Sequence, residues 1–198
     1  MIEGTVAIDM GVPFSAVAKH LKTLRIVFMS HEHSDHFNKS TIKKLAYEKP
    51  LLRFACGEWL AKPLAGCGVK KANIDILESG RRYSFGQIAA EPFGLYHPVP
   101  NMGWKLEIGG ERALYATDTA RMDHVEARDF DYYFIEANHT EEEIEGRIAE
   151  KLRNGEYPYE QRARDSHLSR EKADEFIYGN IGPNGVYVYL HTHDGLAM

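Results

Sequence analysis

Cysteine is scarce in this chain of 198 residues, which contains only Cys56 and Cys67. The two do not form a C-x-x-C pair, so we interpret them as small buried apolar residues in a reducing compartment. No run of 18 or more apolar residues occurs, so no membrane span is expected. The N-terminus lacks a basic segment followed by an apolar one, so no signal peptide is expected and the cytoplasm is the default location.

An excess of basic residues is also absent, because the formal net charge is -5 with histidine neutral. This balance argues against a generally basic nucleic-acid binder. It does not exclude a nuclease, since bound divalent cations would supply positive charge where a phosphate lies. The length fits a single domain over residues 1–198. What the chain does have is ten histidines, several of them clustered.

Strands and helices are mixed along the chain, which predicts sheets packed together with helices outside them. Predicted strands cover residues 5–9, 25–29, 51–54, 74–77, 83–93, 104–108, 113–116, 131–136 and 186–190. Predicted helices cover residues 15–24, 41–47, 57–65 and 141–152, and another begins after Ser169, its expected cap. Asn38 or Ser40 is expected to cap the helix at 41–47. The polar stretch 153–165 is expected to be a connection.

Four potential metal ligands, His31, His33, Asp35 and His36, lie within six residues directly after the strand predicted at 25–29. Imidazole and carboxylate suit zinc, manganese or iron, and the lack of thiolate argues against a purely structural zinc site. Residues two apart in an extended stretch face the same way, so His31 and His33 are predicted to bind one ion. Asp35 and His36 are adjacent, so we expect them to point apart and to serve a second ion.

Three later residues, His97, Asp118 and His191, follow or adjoin predicted strands and complete the candidate set. A carboxylate can bridge two cations, so Asp118 is the natural bridge, with His97 completing the first ion and His191 the second. His193 competes with His191, but His191 is the first residue past its apolar strand. The sequence therefore predicts two divalent metal ions, either zinc or manganese.

The segment His31-x-His33-x-Asp35-His36 resembles the signature of the metallo-β-lactamase superfamily, and the later candidates follow in the order of that family's other metal motifs. The resemblance extends from Val6 to His191. It implies an α/β (α+β) fold, a four-layer αβ/βα sandwich of two facing mixed sheets with outer helices, and a binuclear site, usually of zinc, at one edge. Family members usually begin with an additional strand and a Gly/Ser-rich turn, which we expect to be missing here.

Within the superfamily, three segments resemble a bacterial and phage branch related to exonucleases and tRNA 3′-processing endonucleases. They are Ile135-Glu136-Ala137-Asn138-His139, Asn154-Gly155-Glu156-Tyr157-Pro158 and Ser166-His167-Leu168-Ser169. The resemblance implies that His167 approaches the scissile phosphate; the alternative is a residue that merely enters the helix capped by Ser169. Glu136 and Asn138 either orient metal-bound histidines or cap a turn at a strand end.

The first functional hypothesis is a binuclear phosphodiesterase or nuclease that acts through a metal-bound hydroxide. Asp35 and Asp118 would position the hydroxide, and His167 would stabilise charge or assist the leaving oxygen. Basic side chains within residues 147–172 would steer a phosphate backbone, unless the acidic residues among them make this a mixed solvated face. The expected partner is nucleic acid or a small phosphodiester, and the sequence makes no prediction of oligomeric state.

Two other hypotheses stay open. A metallohydrolase could act on a thioester, a lactone or another small carbonyl compound with the same ions. The His-Leu-Ser segment at residues 167–169 favours the phosphodiester, because carbonyl hydrolases of the superfamily generally lack it. The third hypothesis is a non-catalytic metal-binding member of the fold.

Overall fold

The computed structural model of this chain describes residues 4–192. The chain divides into two units, Met1–Arg81 and Arg82–Met198, each of which contains its own sheet. The expectation of one domain over residues 1–198 stays a prediction. Among the described residues, none of the helices is both long and apolar enough to cross a membrane.

The sheet of the first unit has four strands in the order β1-β2-β3-β4. The strands are β1 (Val6–Ile8), β2 (Ile26–Met29), β3 (Arg53–Cys56) and β4 (Ile74–Ile76). The helices between them are α1 (Phe14–Ala18), α2 (Lys39–Glu48) and α3 (Glu58–Gly66). All three pairs of neighbouring strands are parallel. We expected two mixed sheets, but every connection in this one is a helical crossover, and crossovers join parallel strands.

The core of the first unit lies between this sheet and its helices. Val27 and Met29 of β2 pack with Phe54 of β3 and with Leu45 of α2 and Leu60 of α3. Each of these side chains is completely buried. Such burial contributes roughly 1.5–3 kcal/mol per large aliphatic or aromatic side chain, so these contacts stabilise the first unit.

Both cysteines are buried and unpaired by disulfide, as the sequence predicted. Burial, with a smaller contribution from the charge of Asp75, raises the pKa of the Cys56 thiol to about 12. A thiol in this environment is not a thiolate ligand at neutral pH.

The sheet of the second unit has six strands in the order β10-β9-β8-β7-β6-β5. The strands are β5 (Tyr83–Phe85), β6 (Ile88–Gly94), β7 (Met102–Ile108), β8 (Glu111–Ala116), β9 (Tyr132–Glu136) and β10 (Val186–Leu190). The helices are α4 (Glu141–Arg153), α5 (Glu160–Ser166) and α6 (Arg170–Asn180). Strands β5 to β8 are antiparallel neighbours, whereas β8, β9 and β10 are parallel. The carboxyl ends of these last three strands therefore share one edge.

Several predicted elements differ from the structure in their bounds. The strand expected at 83–93 is two strands joined by a turn at Gly86, whose φ of 69° is accessible to glycine without strain. The helix expected at 15–24 ends at Ala18. Asn38, not Ser40, caps α2, because its side chain accepts hydrogen bonds from the backbone N–H groups of Ser40 and Thr41.

Helix α5 was not expected, since residues 153–165 contain no apolar periodicity. Polar contacts with α4 stabilise it instead. Glu160 forms an ion pair with Lys151 at 2.6 Å, and Arg164 forms one with Glu145 at 2.9 Å. Pairing between two helices is a tertiary feature that a hydrophobic pattern does not reveal.

Candidate metal centre

The histidine-rich segment after β2 folds into a turn. The backbone N–H groups of His36 and Phe37 both donate to the carbonyl oxygen of His33, at 2.9 and 2.7 Å. The ring centroid of His31 lies 4.8 Å from that of His33 and 4.4 Å from that of His36. Asp35 Oδ2 lies 3.4 Å from His36 Nε2. The expectation that Asp35 and His36 point apart was wrong, because it assumed an extended backbone.

Asp9, at the carboxyl end of β1, contacts this segment through its carboxylate. Its carboxylate accepts hydrogen bonds from the Ser30 backbone N–H and the Ser30 hydroxyl, both at 2.7 Å, and lies 2.7 Å from His36 Nδ1. Ser30 Oγ in turn lies 3.0 Å from His31 Nδ1. A carboxylate at one ring nitrogen fixes the tautomer and orientation with which a histidine offers the other nitrogen to a metal.

Sequence reasoning missed Asp9. The available signal was the position of Asp9, one residue past β1. Strand β1 pairs in parallel with β2, and Ile8 lies opposite Phe28. The backbone of Asp9 has a φ of 55°, an uncommon conformation that asparagine and aspartate tolerate better than most residues.

Gly11 allows the turn to approach the end of β1 closely. The N–H of Met10 donates to the carbonyl oxygen of His36 at 2.7 Å, and the N–H of Asn38 donates back to Met10 at 2.9 Å. A Cβ atom on Gly11 would lie 1.5 Å from the carbonyl oxygen of Asp35. Any side chain at this position would therefore push the turn away.

In the second unit, polar residues follow the three parallel strands at their common edge. Asp118 lies two residues past β8, Glu136 ends β9, and His191 directly follows β10. His191 Nδ1 lies 2.6 Å from Asp118 Oδ1 and 3.0 Å from Glu136 Oε1. Both carboxylates are buried almost completely. The topology thus gathers side chains that are more than 70 residues apart in sequence.

His167 joins this group from the junction of α5 and α6. Its Nδ1 lies 2.6 Å from Glu136 Oε1 and 3.2 Å from Asp118 Oδ1. The residue after His167 is bonded to the segment that follows β9, because the N–H of Asn138 donates to the carbonyl oxygen of Leu168 at 3.0 Å. We call Asp118, Glu136, His167 and His191 the carboxylate cluster.

The second oxygen of Glu136 is occupied by backbone donors. Glu136 Oε2 accepts from the N–H of Thr119 at 2.9 Å and from the N–H of Leu168 at 3.2 Å. Of the two interpretations of Glu136, the contacts support the one in which it orients histidines, since Oε1 faces His167 and His191. Asn138 contacts the same region through its side-chain amide, which donates to the His191 carbonyl oxygen at 3.3 Å.

The charges of the carboxylate cluster are strongly coupled. Burial alone would lower the pKa of His167, but hydrogen bonds to Asp118 and Glu136 raise it to about 9. The same two carboxylates raise the pKa of His191 to about 10. Burial would raise the pKa of Glu136, yet the hydrogen bonds from His167 and His191 hold it below its ordinary value. Two buried carboxylates thus require positive charge close by, which protons or a divalent cation can supply.

Two further polar residues adjoin the carboxylate cluster. His97, in the loop after β6, has its ring centroid 5.4 Å from that of His167 and its Nδ1 3.4 Å from the carbonyl oxygen of Ser166. Asn101, which the sequence did not single out, donates its side-chain amide to the carbonyl oxygens of Thr117 and Asp118 at 2.9 and 2.8 Å. It holds the turn in which Asp118 has a φ of 55°.

The donor set fits a divalent metal. One atom from each member of the carboxylate cluster lies within 4.8 Å of those from the other three. Imidazole nitrogen and carboxylate oxygen are ligands of zinc, manganese and iron. The choice between His191 and His193 stays a prediction, because His193 lies outside the described residues.

Comparison with known proteins finds a matching family model and related sequences. The family model of the beta-lactamase superfamily domain matches residues 8–183. Exodeoxyribonuclease WalJ of Streptococcus pneumoniae serotype 2 (strain D39 / NCTC 7466) is 28% identical over 182 residues, which cover 84% of this chain. The alignment covers 62% of that relative's own length.

Solved structures share the fold at low sequence identity. The metallo-beta-lactamase fold protein YhfI from Bacillus subtilis superposes with a TM-score of 0.71 and 16% identity, covering 99% of this chain and 78% of that one. The short form of human tRNase Z gives a TM-score of 0.65 and 12% identity, covering 98% and 84%. The sequence resemblance to the metallo-β-lactamase superfamily is confirmed, and the chain belongs to the beta-lactamase superfamily domain family.

Proposed function

We propose that this chain is a binuclear metal-dependent phosphodiesterase that cleaves nucleic acid. The observation that carries the proposal is the carboxylate cluster, in which two buried carboxylates meet two imidazoles at the common edge of β8, β9 and β10. Buried charge of this kind is costly unless it is compensated, and metal centres are a common reason to retain it.

The proposed metal ligands are the residues that the sequence implies. His31, His33 and His97 would bind one ion, Asp35, His36 and His191 the other, and Asp118 would bridge. Zinc is the proposed metal, with manganese as the alternative. The contact between Asp9 and His36 Nδ1 supports this assignment, since such carboxylate contacts typically orient metal-binding histidines.

The cations would polarise phosphoryl oxygens and lower the pKa of a water molecule toward neutrality. Asp35 and Asp118 would position the attacking oxygen. Glu136 holds His167 through Nδ1, so the Nε2 edge of that ring is the part proposed to meet the phosphate. There His167 would stabilise the developing charge or give a proton to the leaving oxygen.

The choice of a phosphodiester rests on His167 and on the relatives. One curated relative is named an exodeoxyribonuclease, and one structural neighbour is a tRNase Z. The basic segment at residues 147–172 does not contribute to the proposal. Its side chains Lys151, Arg164, Arg170 and Lys172 form ion pairs with acidic neighbours, as expected of a mixed solvated face.

The test is elemental analysis of the purified protein followed by activity assays. The substrates are single-stranded and duplex DNA, RNA, a chromogenic phosphodiester and a thioester, each with Zn²⁺ or Mn²⁺. We expect two metal equivalents, phosphodiester cleavage, and loss of both cleavage and metal in Asp118→Ala. Glu107→Ala, which removes an exposed carboxylate of the same unit, is the matched control and should retain both. Absence of bound metal, or hydrolysis of the thioester alone, would refute the proposal.

A further inference from the structure

An exposed tyrosine lies beside the turn that carries Asp118. Tyr96 lines an open groove of about 520 Å³ in the second unit, together with His97, Arg121 and Asp165. His97 is one of the proposed ligands, and its ring neighbours that of His167. The groove therefore adjoins the candidate metal centre at His97 and has an aromatic side chain and a cationic side chain in its lining.

The backbone of this tyrosine is bound to the same turn as the metal-site carboxylate. The N–H of Tyr96 donates to Thr119 Oγ1 at 3.1 Å, and the N–H of Ala120 donates to the carbonyl oxygen of Tyr96 at 2.9 Å. The hydroxyl of Thr119 also donates to the carbonyl oxygen of Arg121 at 3.0 Å. Tyr96 and Arg121 are thus held at a fixed offset from Asp118.

The ring of Tyr96 is restrained by two side chains but stays partly exposed. The Arg121 guanidinium lies over one face of the ring, 3.9 Å from its centroid, and the ring of His124 is perpendicular to it at a centroid separation of 4.8 Å. Even so, Tyr96 remains 43% exposed. Arg121 is held further by an ion pair with Asp123 at 3.3 Å. An aromatic ring with a guanidinium held over one face can offer its exposed part to a planar group, and the guanidinium can bind an anionic one.

We propose that Tyr96 and Arg121 form a nucleotide subsite, in which the face of the tyrosine ring opposite Arg121 stacks on an unpaired base and the guanidinium binds the adjoining phosphate. This inference rests on the proposed nuclease function and specifies its substrate. Stacking accepts any base but needs one that is not paired, so the subsite selects unpaired nucleotides without reading sequence. Asp165 in the groove opposes the phosphate, and Arg164, which it shares with Glu145, offsets part of that charge at 3.1 Å.

The test compares cleavage of a short single-stranded DNA with cleavage of the same strand carrying an abasic residue near the scissile bond. We expect Tyr96→Ala to raise the KM of the intact strand by about 5- to 150-fold, which converts the ~1–3 kcal/mol per stacked base at ~1.4 kcal/mol per tenfold. Tyr96→Phe keeps the ring and should stay within about twofold. Tyr47→Ala removes a tyrosine that is 83% exposed in the first unit and is the matched control.

The abasic strand completes a double-mutant cycle, in which the Tyr96 ring and the base are removed separately and together. If the ring stacks on the missing base, wild-type KM rises on the abasic strand, and Tyr96→Ala adds no further loss. Additive effects of the two changes, or a Tyr96→Ala variant that behaves like Tyr47→Ala, would overturn the subsite. In that case cleavage by the wild type would leave the proposed function standing.

A binding experiment tests the opposite outcome, in which the subsite exists but the hydrolytic proposal is wrong. Deoxyadenosine 5′-monophosphate and deoxyribose 5-phosphate are each titrated while the ring resonances of Tyr96 are followed by NMR, with Tyr96→Ala assigning the signals. A larger shift with the nucleotide than with the sugar phosphate supports the subsite even if no nucleic acid is cleaved, so that only the hydrolytic proposal falls. Equal responses to both ligands, or none to either, would overturn the subsite itself.

Discussion

The two histidine groups of the molecule are built in contrasting ways. The turn at residues 31–36 takes its candidate ligands from one short segment, and both His33 and Asp35 are exposed. The carboxylate cluster takes its four members from the ends of three strands and one helix, and both of its carboxylates are buried. The first group is adjacent in sequence, whereas the second is adjacent only through the topology of the sheet.

The difference shows which interactions maintain each group. The turn depends on backbone shape, since it needs the close approach at Gly11 and the hydrogen bonds of Asp9. The carboxylate cluster depends on charge compensation, since Glu136 contacts both His167 and His191. Substitutions in the turn should therefore act through geometry, and substitutions in the cluster through electrostatics.

The largest effect is expected from Glu136→Gln. The amide cannot compensate the charge of the two histidines, and leaving a buried group without its partner costs about 1–3 kcal/mol, more for a charged group. We expect that loss in the free energy of unfolding of the metal-free protein, measured by urea titration with a chelator present. Glu107→Gln, in an exposed ion pair with Arg82, should change it by less than about 1 kcal/mol. Equal losses in the two variants would contradict electrostatic control of the cluster.

The next effect is expected from Gly11→Ala, which tests geometric control of the turn. The new Cβ would overlap the carbonyl oxygen of Asp35, and relieving such an overlap typically costs about 1–3 kcal/mol. Displacing the turn should also weaken metal binding. Both effects are measured by urea unfolding and by isothermal titration with Zn²⁺.

The control for that substitution is Gly146→Ala, inside α4. A Cβ at Gly146 has nothing within 4 Å, and alanine is a better helix former by about 1 kcal/mol. This variant should unfold at a higher urea concentration and bind metal as the wild type does. If Gly11→Ala were as stable as Gly146→Ala, the close approach would have no structural importance.

The same contrast explains how much of the site could be predicted from sequence. The sequence predicted His31, His33 and His36 because three histidines in six residues are conspicuous. It predicted His191 because that residue directly follows an apolar strand. Asp9 and Asn101 were not readable, since each acts through hydrogen bonds to residues at least 16 positions away. A single acidic or amide residue carries no local pattern that identifies such a contact.

The fold shows the same limit. Buried strands such as Ile26–Met29 were predicted from their β-branched and aromatic content, and β10 was predicted with its observed bounds. Helix α5 was missed, because its ion pairs join it to another helix, α4, and its sequence has no apolar stripe. The divergence expected of Asp35 and His36 failed for a related reason, since it took the backbone as extended where the hydrogen bonds to the His33 carbonyl bend it.

A smaller effect is expected from Asp9→Asn. Asparagine retains an acceptor for Ser30 but loses the charge that fixes His36, and such outer contacts are typically worth about 10- to 100-fold in metal affinity. We expect the loss near the lower end of that range, measured by competition with a chromophoric chelator. Asp75→Asn, which breaks the ion pair with Arg53 in the same unit, should bind metal as the wild type does. Identical affinities in both variants would show that Asp9 does not orient a ligand.

The smallest effect is expected from pH, and it concerns only the carboxylate cluster. In the metal-free protein the pKa values of His167 and His191 are raised to about 9 and about 10, against about 6.5 in the unfolded chain. A raised pKa contributes stability that is fully present below about pH 6.5 and is lost as the pH rises through 9 to 10. The lowered pKa of Glu136 acts in the acid range instead, where its contribution is lost as the pH falls.

The unfolding free energy of the chelator-treated protein should therefore fall between pH 7 and pH 10. Both histidines are partly exposed, so solvent screening limits the change to about 1 kcal/mol. Urea titrations at several pH values for the wild type, His191→Gln and His20→Gln measure it. Taking the difference from the wild type removes the titration of lysines and tyrosines. His191→Gln should flatten the slope above pH 7, whereas His20→Gln, in the first unit, should leave it intact. Parallel slopes in all three proteins would mean that the carboxylates contribute no stability through His191. The carboxylate cluster would then not be maintained by electrostatics, and its contrast with the turn at residues 31–36 would be wrong.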